Sequence, residues 1–500
     1  MVPLMSTQTS GEPATAATAK EPGFAYAAGS VLIVVAILLV GSLGFDADIQ
    51  LLLFISMVAL VPLVMRLGYS FDDAENFAFR AIRSVLGLIM ILMAVGALIG
   101  SWAESGTIPA LVHLGLSVLS PQLFLPTTLL LCILASMATG TSWGTIGTVG
   151  VAMMGVGEGM GYPVAMTAGA IVCGAYFGDK MSPFSDSTNL NAALVGTDLT
   201  RHIRHLTWTT VPTILLCGGI FTVLGFTTSH GRGSVAEAEA INAALSENFS
   251  LGLPAFLPIV VVLVLLLMRK PAWPSIFVGA LAGALVAVLY QGASVSDTLS
   301  VLYNGFVMET GTATVDSLVS GGGVMSMMGM VALFLFAIGM AGLLTGSGML
   351  LALITPTLRW ITTPRRLMVT SIFLVPALVA LGGSFSFAAV MSGSLLLPLY
   401  HKFGLDPRNL SRILEDSGTA NDPVFPWSSG GVFVAGVLGV STLTYLPFYF
   451  FVFLSMAFSL LYAITGWKVP RAERSGEREP DGEAGEGPVS APHAPAASTR

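Results

Sequence analysis

The chain has 500 residues, of which 54% are hydrophobic and 10% charged, and its mean hydropathy is +0.82. A soluble domain carries about 25% charged residues, so lipid is the solvent for most of this chain; a soluble enzyme, a nucleic-acid-binding protein and a secreted disulfide scaffold are excluded. The net charge of -7 says little, because the polar segments 1–22, 66–84, 227–253 and 466–500 hold about half of the charged side chains.

Residues 1–22 are rich in Ala, Thr and Pro and lack a basic region leading into a cleavable core, so they read as a disordered tail rather than a signal peptide. Apolar runs at 24–43, 48–65 and 85–103 match the roughly 20 residues a spanning helix needs. The run 108–120 is short and is expected along the membrane interface. Residues 122–159 are apolar but interrupted by GTSWGTIGTVG (140–150). In mid-membrane that cluster suits the tip of a re-entrant hairpin, whose freed backbone groups need protein or water partners. The stretch 163–200 opens at Pro163, is interrupted by GDKMSPFSDSTN (178–189), and reads as a broken helix. A span at 206–226 leads into a polar external loop, 227–253, carrying Glu237, Glu239 and Glu247; spans at 255–268, 272–290 and 324–345 follow. The pattern then returns, with a hairpin at 367–404 turning at GGSFS (382–386) and a broken helix at 407–440 running through EDSGTANDPVFPW (415–427). A last span covers 443–465, and residues 466–500 read as a disordered cytoplasmic tail. Cys132, Cys173 and Cys217 lie singly in apolar runs, so neither a disulfide framework nor a zinc site is indicated, and no cofactor is expected.

Ser142, Pro163 and Pro183 are separated by 21 and 20 residues, and Ser384, Pro407 and Pro423 by 23 and 16. The fold class expected is therefore an all-α polytopic membrane protein built from two repeats, 23–226 and 254–465, each with five crossings, one of them a broken helix, and one re-entrant hairpin. Five is odd, so the second repeat enters the membrane inverted. With both termini inside, the basic groups around Arg66, Arg201, Arg269, Arg359, Arg408 and Lys468 all fall on the cytoplasmic side, as the positive-inside rule requires. Inverted repeats whose broken helices meet near the midplane are a transporter architecture. A simple Gly/Pro packing kink explains either break alone, but not the agreement of parity, charge and repetition.

An ionisable group within a span costs about 2.5–3.5 kcal/mol on insertion scales, so it stays where it is used or paired. The first break supplies Asp179, Lys180 and Asp186 beside Ser182, Ser185 and Asn189, and the second Glu415, Asp416, Ser417, Thr419, Asn421 and Asp422. These are hard oxygen ligands, and unwound backbone adds carbonyls, which suits a small hard cation. A carboxylate occupied by either H⁺ or Na⁺ suffices for exchange. Asp186 has no adjacent basic residue and ranks first as a Na⁺ ligand, with Asp416 and Asp422 next; the competing reading pairs Asp179 with Lys180, and Glu415 or Asp416 with Arg412. The hairpin tips at Thr141, Ser142 and Thr145, and at Ser384 and Ser386, are expected to face the breaks.

GTSWG (140–144) also fits G-x-S-x-G, the nucleophile elbow of serine hydrolases. That reading needs a His base at tip depth and a strand before the Ser. All six histidines lie near span ends, in loops or in the tail, and nothing reads as a strand.

GAYFGDKMSPFSDSTNL (174–190), DPRNLSRI (406–413) and LEDSGTANDPVFPW (414–427) resemble the paired signatures of the NhaC-type Na⁺/H⁺ antiporters of the ion-transporter superfamily, and GTSWGTIG (140–147) fits the hairpin ahead of the first. The resemblance spans roughly residues 24–465. It implies a transport domain beside a scaffold, elevator-type movement and a homodimer. It implies ion contacts around Asp179, Ser182, Asp186 and Asn189, and around Asp416, Ser417 and Thr419. Two features depart from the family pattern: GGSFSFAAV (382–390) replaces an acidic, Gln/Tyr-bearing second hairpin, and Asn421-Asp422 is more charged than usual.

The expected function is exchange of Na⁺ or Li⁺ for H⁺ across a bacterial plasma membrane; the alternative is transport of an organic acid such as malate or lactate coupled to Na⁺ or H⁺. Asp186→Asn is expected to fold and to lose exchange, as read by sodium-driven pH change in proteoliposomes.

Overall fold

The computed structural model describes residues 20–228, 235–308, 316 and 319–472. Most of both expected tails and the side chains of Glu237 and Glu239 lie outside the described residues. The chain is all-helical, and the described residues contain no strand, only the isolated bridges Phe306–Gly321 and Leu405–Arg471.

Helices α1 (Phe24–Phe45), α2 (Ile49–Met65), α3 (Phe71–Arg83), α4 (Leu86–Glu104) and α5 (Thr107–Val118) come first. The first hairpin follows, α6 (Phe124–Thr139) returning through α7 (Ser142–Thr145) and a π turn, Ile146–Gly150, into α8 (Val151–Gly159). The first broken helix is α9 (Val164–Met181) and α10 (Asp186–Leu194), succeeded by the long α11 (Leu199–Thr228). Then come α12 (Val235–Asn248), α13 (Leu257–Leu267), α14 (Ala272–Val286), α15 (Val295–Asn304), α16 (Met328–Gly346) and α17 (Met349–Leu358). The second hairpin pairs α18 (Pro364–Gly382) with α19 (Phe385–Lys402). The second broken helix starts as α20 (Arg408–Ile413), widens into a π turn at Leu414–Gly418, tightens into a 3₁₀ turn at Thr419–Val424, and resumes as α21 (Ser429–Leu438). Helices α22 (Thr442–Tyr445) and α23 (Phe450–Thr465) close the order. The sequence hairpin, broken helix, apolar helix thus occurs twice.

Among the described residues, 7 helices are long and apolar enough to cross a membrane, or up to 9 if each bent pair counts as one span. Ten crossings were expected. Five of the expected ten are among the 7, whose other two members, α6 and α18, are first arms of the hairpins; the remaining expected crossings are short, such as α2 and α23, broken, or bent, such as α21 and the turn after it, which meet at 87°. Side chains such as Leu215 and Leu289, 70% and 74% exposed, form the lipid-facing surface. Exposure of this kind is unfavourable in water but neutral against acyl chains.

One expectation is corrected. The loop 227–253 contains a helix, α12, which packs on α5. The first turns of α5 are buried against α8. The polar segment 66–84 folds as α3, started by a capping box in which Ser70 and Asp73 bond reciprocally; its buried Ala74 and Ala78 face α16.

The first hairpin is held to the first broken helix by small residues. A Cβ on Gly174 would fall 2.5 Å from the Leu129 carbonyl oxygen, and one on Gly178 would fall 2.6 Å from the Ser136 Cβ. The Gly-x-x-x-Gly spacing therefore lets α9 lie directly on α6, the approach that van der Waals packing in lipid demands. Ser136 closes the contact by donating to the Ala175 carbonyl at 2.6 Å. Gly178→Val is expected to force these helices apart, lowering the melting temperature in detergent and abolishing transport; an unchanged melt would show that the contact is dispensable.

Candidate functional site

Each hairpin turns by the same local device. Gly140 and Gly383 end the first arm with left-handed φ values of 72° and 70°, a conformation that L side chains resist. A hydroxyl then caps the second arm: Thr141 accepts from the Gly144 N–H at 3.2 Å and Ser384 from the Phe387 N–H at 3.3 Å. The resumed halves of both broken helices are capped likewise, Ser185 accepting from Thr188 and Ser428 from Gly431.

Both tips and both breaks meet at one cavity of about 240 Å³. Its wall includes Thr141, Ser142 and Trp143 from the first tip, Phe385 and Ser386 from the second, Tyr176, Asp179 and Asp186 from the first broken helix, and Thr419 and Asp422 from the second. Three of the lining residues are acidic and none is Lys, Arg or His. The tips hold the carboxylates: Ser142 Oγ donates to Asp179 Oδ2 at 2.8 Å, and the Phe385 N–H donates to Asp422 Oδ1 at 3.3 Å. Ser429 adds a second donor to Asp422 Oδ1 at 2.8 Å.

Other expected ligands sit elsewhere. Asp416 does not line the cavity; it pairs with Lys180, and it accepts from Thr209 at 3.0 Å, from Ser455 at 3.1 Å and from Ser459. Neither side chain of this pair is more than 1% exposed. Lys180 therefore reaches across to the second break instead of pairing with Asp179. Arg412 donates to the Lys468 carbonyl at 3.0 Å, leaving Asp416 to Lys180. Ser182 donates to the Met137 carbonyl at 2.9 Å, and Asn189 to the Pro183 and Ser185 carbonyls at 3.0 and 2.7 Å. Neither residue is part of the cavity wall. Ser417 is buried, away from the cavity wall. Asp186 lines the cavity but is exposed, where it opens α10 one residue after its Ser185 cap; the buried carboxylates on the wall are Asp179 and Asp422.

Several polar residues were not singled out from sequence. Asn191 Nδ2 donates to Glu415 Oε1 at 2.8 Å and contacts Thr419 Oγ1 at 3.5 Å, so a fully buried Glu415 stands behind the cavity wall. Trp143 stacks on Phe433, ring centroids 5.3 Å apart. Tyr176 was visible inside the first motif, three residues before Asp179 and so on the same helical face. Thr209, Ser455 and Ser459 carried no signal, since single hydroxyls on spanning helices are ordinary packing residues.

The sequence model of the Na⁺/H⁺ antiporter family matches residues 14–175 and 174–467. The chain belongs to that family. As a family member it is 36% identical over 440 residues to a malate-2H⁺/Na⁺-lactate antiporter of Bacillus subtilis, covering 87% of this chain and 94% of that one. It is 36% identical over 425 residues to the Na⁺/H⁺ antiporter NhaC of Alkalihalophilus pseudofirmus, covering 85% and 91% of the two chains. It is 33% identical over 454 residues to the arginine/ornithine antiporter ArcD of Halobacterium salinarum, covering 90% and 93%. Family and relatives are antiporters rather than enzymes, and the Ser142 hydroxyl that a hydrolase would activate is bonded to a carboxylate. This Na⁺/H⁺ antiporter family member is a multi-pass membrane protein.

A buried ion pair that loses one partner leaves an uncompensated charge, at a cost of about 3–5 kcal/mol. Lys180→Met alone is therefore expected to lower the melting temperature in detergent markedly. Lys180→Met with Asp416→Leu is expected to recover most of that loss.

Proposed function

We propose that the chain exchanges Na⁺ or Li⁺ for H⁺ across a bacterial plasma membrane, with the cavity between tips and breaks as the cation site. The observation that carries this reading is the wall itself, three carboxylates with no cationic side chain. Four capped helix starts lie at or beside it, and each N-terminus contributes roughly half a positive charge. These dipole ends favour anionic groups at the wall without neutralising them, which leaves the carboxylates able to take a monovalent cation or a proton. A carboxylate that takes either, but not both, couples the two fluxes.

In this reading Asp179 and Asp422 hold the ion and Asp186 admits it at the mouth. The π and 3₁₀ turns of 414–424 supply unwound backbone near the site, as transporter broken helices do. Two inverted repeats, 23–226 and 254–465, carry the hairpins and broken helices. The twice-repeated element order supports that division, and the positive-inside distribution supports an inverted insertion with both termini cytoplasmic. Elevator movement of the hairpins and broken helices against a scaffold of α1–α4 and α13–α16, in a homodimer, completes the proposal.

The relative that exchanges malate and lactate favours a second reading, in which an organic acid is carried. Its carboxylate needs a cationic partner, and Lys180, the cation closest in sequence to the site carboxylates, is bound to Asp416. The two readings separate in proteoliposomes under an imposed sodium gradient. Sodium-driven proton flux with no organic anion present is expected, and a strict requirement for malate or lactate would establish the second reading instead. Asp179→Asn and Asp422→Asn are each expected to reduce exchange at least tenfold with an unchanged melting temperature.

A further inference from the structure

A second cavity, of about 340 Å³, lies behind the second hairpin tip, between α3, α16 and the start of α19. Gly382, Ser384 and Phe387 line it, whereas Phe385 and Ser386 line the carboxylate cavity, so the tip is the partition between the two. Its other walls are mostly apolar, with Phe77 and Ala81 from α3 and Ile338 and Ala341 from α16. A space of this size, apolar with a few polar groups, suits a molecule with an apolar body rather than a bare ion.

Among the described residues, Arg80 is the one charged side chain on this wall. Its Nε donates to the Asn76 carbonyl at 3.2 Å, and its guanidinium carbon lies 5.3 Å from the centre of the Phe77 ring. Its terminal nitrogens have no hydrogen-bond or ion-pair partner among the described residues. Ser384 Oγ accepts from the Phe387 N–H at 3.3 Å and keeps its own proton to donate. Arg80 and Ser84 are exposed and form the rim. Phe79 and Leu86, beside them in the chain, are each 50% exposed. Exposed apolar side chains next to an exposed guanidinium mark the level of lipid headgroups, so the cavity opens where lipid is the neighbour.

We propose that this cavity binds one anionic phospholipid, its phosphate on Arg80 and part of an acyl chain against Phe77, Ile338 and Phe387. Arg holds phosphate through two parallel N–H donors, and basic pockets between membrane helices take anionic headgroups. A zwitterionic lipid offers the same chain, but its own cation competes for the phosphate. A free anion offers the charge without the chain. A Cβ on Gly383 would fall 2.6 Å from Ile338 Cδ1, so the tip already rests on α16, and a chain seated beside that contact fills the space behind the tip. The bound lipid thereby braces the second hairpin where it meets α16.

The test is the melting temperature of the full chain in detergent, titrated with dioctanoylphosphatidylglycerol, dioctanoylphosphatidylcholine or inorganic phosphate. The anionic lipid is expected to raise it saturably, and neither of the others to do so. In Arg80→Gln the half-saturating concentration is expected to rise about fivefold, the contribution of one basic side chain at an anionic headgroup. Arg83→Gln removes a charge from the same helix that does not line the cavity, and is expected to titrate like wild type. An equal rise with phosphatidylcholine or with inorganic phosphate overturns the proposal. So does an Arg80→Gln variant that titrates like wild type, or an equal loss in both variants, which would reduce the effect to surface charge. None of these outcomes depends on the cation reading of the other cavity.

Discussion

The Lys180–Asp416 ion pair is the contact on which the rest of the site depends. It joins the two breaks across 236 residues of sequence, in a place where neither charge has water to fall back on. Three hydroxyls complete the carboxylate: Thr209 from α11, and Ser455 and Ser459 from α23. Each break is thereby anchored to the other and to α11 and α23. A buried pair is often no more stabilising than well-packed apolar residues; this one ties the last turn of α9 to the π turn at 414–418.

Once the breaks are aligned, the charges left over acquire their roles. Lys180 neutralises Asp416, so Asp179 and Asp422 have no cationic partner on the cavity wall and depend on hydroxyls, backbone N–H groups and helix starts. A carboxylate stabilised by dipoles rather than by a cation remains able to accept one. The same geometry explains the hairpins. Each tip is a left-handed glycine followed by a capping hydroxyl, which turns the chain tightly enough to bring a helix start against a carboxylate of the neighbouring break.

Much of this was legible in the chain itself. The hairpin tips at 140–145 and 382–386, the breaks at 178–189 and 415–427, and the carboxylates they contain stand out because Gly, Pro and Asp are costly in a lipid-facing helix. The partners of those carboxylates were not legible. Asp186 and Asp416 ranked high for having no basic neighbour in sequence, or for standing in a break; in the fold Asp186 is exposed at a helix start and Asp416 is paired from afar. Asn189 and Ser182 look like ligands by type, yet their hydrogen bonds go to backbone carbonyls within the break and on the hairpin. Helices α3 and α12 were read as polar segments because amphipathic helices beside a membrane carry little of the continuous apolar signal that marks a span.

The sequence by itself determined the solvent, the all-helical class, the family and the two places where helices break, because each is a property of local composition, spacing or motif. Tertiary structure alone decided which carboxylates are neutralised and which face the cavity. That choice depends on which residues distant in the chain arrive within about 3 Å of one another. Lys180 meeting Asp416 and Ser142 meeting Asp179 are facts of packing between helices that no local pattern encodes.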